Sequence, residues 1–198
     1  MYHVTASGQI SKDLVTFDSL LHLDSMRSLL LLALIAPALA AAQDNSGQPI
    51  LSPRDTTRAT IGSAHLLVDY GRPSKRGRQV IGKLIPYDDW WRTGANAATT
   101  FVTDKDLVFG STTVPAGTYT LYSVLQKSGP WLLVVNKQNK QWGTEYHQDQ
   151  DLARIPMTTT SVSPFVEKFV INVVPQGSGG AIQLVWDTIE GTATFTTK

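Results

Sequence analysis

The chain has 198 residues with 17 basic and 16 acidic side chains, a near balance that lacks the strongly basic footprint of a nucleic-acid binder. It contains no cysteine, which excludes disulfides, thiolate metal sites and lipid attachment through a thiol. Its single long apolar run is too short for a membrane span, so these three properties leave an ordinary globular domain to be read in chain order.

Residues 1–25 carry Asp13, Asp18 and Asp24 and precede Met26-Arg27-Ser28, the apolar run from Leu29 to Ala36, Pro37, and the small-residue stretch from Ala38 to Ala42. A basic start, a short apolar centre and an A-x-A end describe a secretory signal peptide. We expect translation to begin at Met26, residues 26–42 to be removed, and the product to be periplasmic or secreted. About 156 residues would remain, enough for one domain with an adequate core. Discarding 1–42 removes two cations (Lys12, Arg27) and three of the carboxylates, which leaves a small positive balance. Residues 43–53, polar with Gly47, Pro49 and Pro53, read as a flexible lead-in. A single domain is expected over 54–198.

That domain alternates short β-forming runs with turn chemistry, the pattern of an all-β sandwich or barrel. We expect one antiparallel β-sandwich of eight or nine strands. The strands read from the sequence are 65–70, 99–103, 107–109, 118–125, 131–136, 154–160, 167–174, 182–187 and 192–196. In 118–125 the large side chains occupy both parities, so that strand is expected to be covered on both faces. Val114-Pro115-Ala116-Gly117 has the Pro and Gly placement of a type I turn. A short helical turn is expected near Pro86–Arg92, with Pro at its start.

Two stretches concentrate chemistry. The first, Arg72 to Arg78, holds four cations in a Gly/Pro loop, and guanidinium forks suit carboxylate, phosphate or sulfate. The second is "WWRTGAN", residues 90–96, with two indoles, a guanidinium, a glycine hinge and an amide. Indole faces stack on sugars and cations, so Trp91 is a candidate platform, with Arg92, Thr93 and Asn96 as hydrogen-bonding groups and Trp142 as a further aromatic wall. The plainer alternative makes the first stretch a solvated loop and the second an internal brace. His65 lies beside apolar neighbours in a strand and reads as structural. His147 sits in the polar run Glu145 to Asp151, whose spacing matches neither an EF-hand loop nor a zinc-binding helix.

A nucleophile elbow and a phosphate-binding glycine loop are both missing. Any triad would have to take its base from the two histidines downstream of residue 42. Carboxylates such as Asp88 and Glu145 leave an envelope hydrolase as the alternative to a binding protein, and a structural or assembly protein as a third class.

The blocks "YGRPSKRGR", "IGKLIPYDDWWRTGANAATTF", "VPAGTYTLYSVL", "NKQNKQWGTEY" and "LVWD" occur in an order that resembles the exported bacterial proteins grouped as domain of unknown function 2911. The likeness covers residues 52 to 198. It implies a compact β domain behind a signal peptide and brings no activity with it. The recurrent polar blocks map to Arg72, Ser74, Arg78, Arg92, Thr93 and Asn96. Members commonly place an acid after the asparagine, where this chain has Ala97. The expectation drawn from residues and resemblance together is a non-catalytic binding module without cofactor or metal. Its ligand would be small, polar or anionic, a saccharide foremost, held by Arg72, Ser74, Arg78, Trp91, Arg92, Thr93, Asn96 and Trp142.

Overall fold

The protein is described by a computed structural model over residues 49–198; residues 1–42, where an upstream extension and a signal segment are expected, and residues 43–48 of the expected lead-in lie outside the described residues. The strands are β1 (Arg54–Ile61), β2 (Ala64–Gly71), β3 (Trp90–Trp91), β4 (Thr99–Thr103), β5 (Leu107–Phe109), β6 (Thr112–Val114), β7 (Gly117–Leu125), β8 (Trp131–Asn136), β9 (Asp151–Gln176) and β10 (Gly179–Thr197). They form one antiparallel sheet in the order β1-β2-β4-β7-β8-β9-β10-β5-β6, with β3 joined to β7, and the sheet is not closed.

The all-β antiparallel class is as expected, with ten strands instead of eight or nine. The stretches 154–160 and 167–174 are parts of one strand, as are 182–187 and 192–196. No helical turn forms at 86–92. Asp88 there adopts a positive φ of 59° and Trp90–Trp91 is extended, so the chain turns and enters β3 directly. The one helical turn of the described residues is a 3-10 turn at Gln148–Gln150.

Two layers arise because β9 serves both. Its first residues, Asp151 to Met157, pair with β8, and its later ones, Thr158 to Gln176, pair with β10 through a ladder interrupted by bulges between Val185 and Ile189. Bulges bend a strand and increase its twist. The ribbon therefore turns over, and Trp91 on β3 meets Phe169 of β9 and Trp186 of β10. One apolar cluster joins the layers, including Val68, Phe101, Leu121 and Leu133 from one side and Phe169, Ile171, Leu184 and Trp186 from the other.

The central strand β7 is covered on both faces, as its sequence predicted. Leu121 and Leu125 enter the main core, whereas Tyr122 and Val124 join Val134 in a smaller cluster on the opposite face, roofed by Trp90, Leu132 and Tyr146. The loop 137–150 is tied over that face. Tyr122 donates its hydroxyl proton to Glu145 O at 2.6 Å, Asn136 Nδ2 donates to His147 O at 2.9 Å, and Tyr146 donates to Asp151 Oδ2 at 2.7 Å. Among the described residues no helix is long and apolar enough to cross a membrane.

Candidate functional site

Period-two alternation separates the two indoles of "WWRTGAN". Trp91 stands opposite Ser123 on the inner face of β7, and Trp90 stands opposite Val124 on the outer face. Trp91 is only 8 % exposed, stacks on Trp186 at 5.7 Å and receives Phe169 edge-on at 4.9 Å. Both faces of its ring lie in the core, so it cannot be a platform for a sugar. Trp90 has the outward role: it packs on Tyr122 and Tyr146 and borders a cleft of about 230 Å³.

The lining of that cleft is Leu84, Pro86, Trp90, Trp91, Arg92 and Thr144. Arg92 is half-buried there. Its Nε donates to Gly94 O at 3.3 Å, and among the described residues its terminal nitrogens have no hydrogen-bond partner and its charge no carboxylate. The stem lies against Gly143, where an added Cβ would come within 2.9 Å of Arg92 Cδ and 2.5 Å of Asn96 O. A glycine is needed at 143 because two backbones and a guanidinium stem converge on it.

The backbone beside Arg92 is held in an uncommon shape. Thr93, Gly94 and Asn96 all have positive φ, at 49°, 153° and 65°. For a β-branched residue such as Thr93 this is a true outlier, of order 1–3 kcal/mol, and it persists only when neighbours over-determine it. They do: the fully buried Thr93 hydroxyl donates to Ser123 Oγ at 3.0 Å, and its carbonyl accepts from Thr99 Oγ1 at 2.8 Å. Thr93 is therefore an anchor beneath the site, with no surface left for a ligand. Asn96 is exposed, donates from Nδ2 to Ser52 O at 3.3 Å, and receives Gly143 N on its carbonyl at 3.0 Å. Trp142, 52 % exposed, bridges Ala97 and leads through Gly143 to Thr144 on the cleft wall.

The loop 72–78 contributes differently. Arg72 donates to Phe169 O at 3.0 Å and pairs with Asp55 at 2.9 Å, so it straps β9 to β1. Arg78 curls onto its own loop, donating to Lys75 O and Ser74 O, and the Ser74 backbone bridges Lys168. The two stretches touch at their bases, where Gly71 lies against Ala95 O so closely that a Cβ would not fit. No hydrogen bond among the described residues joins a side chain of 72–78 to one of 91–96. Of the eight residues singled out in the sequence, only Arg92 and the largely buried Trp91 line the cleft, Thr93 anchors it from beneath, Asn96 and Trp142 lie beside it without lining it, and Arg72, Ser74 and Arg78 brace a neighbouring loop.

Trp90, Leu84, Pro86 and Thr144 are the cleft residues that sequence reasoning missed. Trp90 carried a signal, since adjacent residues of a strand face opposite ways and only one of the two indoles could be in the core. His65, expected to be structural, is exposed, with Nδ1 3.1 Å from Thr60 Oγ1. Asp88 accepts Lys127 N at 2.9 Å and shapes a turn. Among the described residues no three His, Cys, Asp or Glu side chains are grouped for a metal ion. Ala97 supplies no carboxylate, and the Arg54 guanidinium beside it is paired with Asp69.

Tyr146 has the most perturbed ionisation near the cleft. Burial and then its hydrogen bond to Asp151 push its phenol up to about 12, against an opposing effect of Arg154. The hydroxyl therefore stays a neutral donor at physiological pH and clasps the loop to Asp151 at the start of β9.

An open, folded-over antiparallel sheet with a small aromatic and guanidinium cleft on its outer face defines the class of protein. The family described as "Protein of unknown function (DUF2911)" matches residues 52–195, and the chain belongs to it. No curated protein and no solved structure matches the chain.

Proposed function

We propose that this is an exported, non-catalytic binding module whose ligand is a small polar or anionic molecule, a sugar ring bearing an acidic group foremost. The observation that carries this reading is Arg92: a half-buried guanidinium whose terminal donors have no partner among the described residues, beside an indole, on a backbone kept in a costly conformation. A charge with no carboxylate partner, held where solvent is partly excluded, favours an anion brought from outside. Strain at a site over-determined by its neighbours is the usual accompaniment of pre-organisation. The cleft, at about 230 Å³, lies below the roughly 300 Å³ at which drug-sized sites begin, so a single ring or small ion suits it better than an oligomer.

Isothermal titration of the full chain with uronic acids, neutral monosaccharides, phosphate and sulfate tests the proposal. We expect saturable heat with an acidic member of the panel, and about a tenfold or greater loss of affinity in Arg92→Gln, the effect of removing one charge-assisted partner. Silence across the panel, or equal affinity in the variant, would reject it.

A further inference from the structure

A second cleft lies at the other end of β2 from the Arg92 site, and its origin is readable in the pairing register. Leu66 and Val68 are buried in the core, so His65 and Leu67 face the opposite way. Arg58 stands opposite Leu67, Leu67 opposite Val102, and Thr60 opposite His65, which sets all five on the outer face of β1, β2 and β4. An antiparallel sheet with one face on the core ordinarily presents polar side chains on the other. Here Leu67 and Val102 are half-buried side by side on the outer face, at the bottom of a cleft of about 460 Å³ flanked by Arg58, His65 and Asp104. That volume is within the range of small-molecule sites, roughly 300–1,000 Å³.

The polar groups around this apolar floor determine what it would accept. Arg58 has no hydrogen-bond or ion-pair partner among the described residues. His65 Nδ1 is engaged with Thr60 Oγ1 at 3.1 Å, and Nε2 has no partner among the described residues. Asp104 Oδ1 accepts His65 N at 2.7 Å and adds one negative charge to the rim. The open Arg58 guanidinium favours an anionic head, joined by His65 Nε2–H in the tautomer whose Nδ1 accepts the Thr60 hydroxyl proton, the aspartate disfavours a polyanion, and the leucine and valine favour a hydrocarbon body. We infer that this cleft is a second binding site, for amphipathic monocarboxylates, with Arg58 and His65 on the carboxylate and Leu67 and Val102 beneath the apolar chain. A neutral phosphate ester or an oligosaccharide lacks one or other half of that pattern.

The inference is independent of the Arg92 site, and the test keeps the two apart. The full chain, labelled with nitrogen-15, would be titrated with octanoate, 4-phenylbutyrate and octanol while backbone amide shifts are followed. Saturable shifts centred on Thr60, His65, Leu67 and Val102 are expected with both carboxylates. Octanol, which keeps the chain and loses the charge, should bind at least about tenfold more weakly, and Arg58→Gln should weaken octanoate by a similar factor. Arg92→Gln should leave the octanoate curve where it was. Failure to saturate, equal binding of octanol, no effect of Arg58→Gln in a variant with an unchanged unfolding midpoint, or shifts centred on Trp90 and Arg92 would each overturn the inference.

Discussion

Trp91 and Arg92 are neighbours in sequence and opposites in duty, and substitution should show it. Trp91→Ala removes a ring that fills the junction of Phe169 and Trp186, a change that costs about 3–5 kcal/mol in comparable cores. For a domain of this size that is a fall of roughly 6 °C or more in the unfolding midpoint. Arg92→Ala gives up one backbone hydrogen bond at 3.3 Å and some stem contact. Its midpoint should move by no more than about 3 °C, because such a bond contributes about 1 kcal/mol. Differential scanning calorimetry of the two variants beside wild type checks both values. A large loss in Arg92→Ala would mean that the guanidinium is a brace after all. The sequence showed that something was concentrated here but not how it was divided, since which indole faces the core depends on the register of β3 against β7. That register is decided far downstream, by Ser123 and Val124 of β7.

At the level of elements, the end of β2 and the 93–96 turn depend on contact between backbones. Gly71 has no positive φ to justify it; it is glycine because Ala95 O occupies the place of a side chain. Gly71→Ala should push the turn away, lower the unfolding midpoint by several degrees, and weaken any ligand that answers to Arg92, a pairing of effects that calorimetry and titration would read separately. The loop 137–150 makes a prediction in pH. The Tyr146 phenol is raised in the folded protein from its ordinary 10 to about 12, so the folded state holds its proton more tightly than the unfolded chain does. Its stabilising effect is complete below pH 10 and is lost as pH rises towards about 12. Alkaline unfolding followed by circular dichroism should therefore be steep in that window, and shallower in Tyr146→Phe. Tyrosinate absorbance should show one phenol fewer among the late-titrating groups of the variant. The short elements were the hardest to read beforehand. β4, β5 and β8 are runs of β-branched, aromatic or aliphatic residues bounded by turn signals, whereas β1 reads Arg-Asp-Thr-Thr-Arg-Ala-Thr-Ile and buries only its last residue. With two or three residues each, β3 and β6 have no periodicity to detect.

For the molecule as a whole, the all-β antiparallel class and the central two-faced strand were legible in the sequence, but the folding-over of the sheet was not. The largely exposed middle of β9, from Ser161 to Val166, falls between two of the strands read from the sequence, because nothing in a local window reveals that β10 runs beside it. Among the described residues the same ribbon makes the side-chain bonds that span the greatest lengths of chain: Thr57 Oγ1 to Ile171 O, Lys75 Nζ to Asp187 Oδ1, and Ile171 N to the Tyr70 hydroxyl. Distant pairings slow folding, because loop-closure entropy is lost before contacts compensate for it. Refolding from denaturant should fall in the millisecond-to-second range typical of such topologies, which stopped-flow fluorescence of the buried tryptophans would measure. The architecture also has a direction in time. Strands β1 to β8 leave the ribosome first, but the rings they are to meet, Phe169 and Trp186, belong to strands made later. A nascent protein cut short before Phe169 has half of an interior and nothing to place against it, so that half stays open to proteases and chaperones until β9 and β10 have been made.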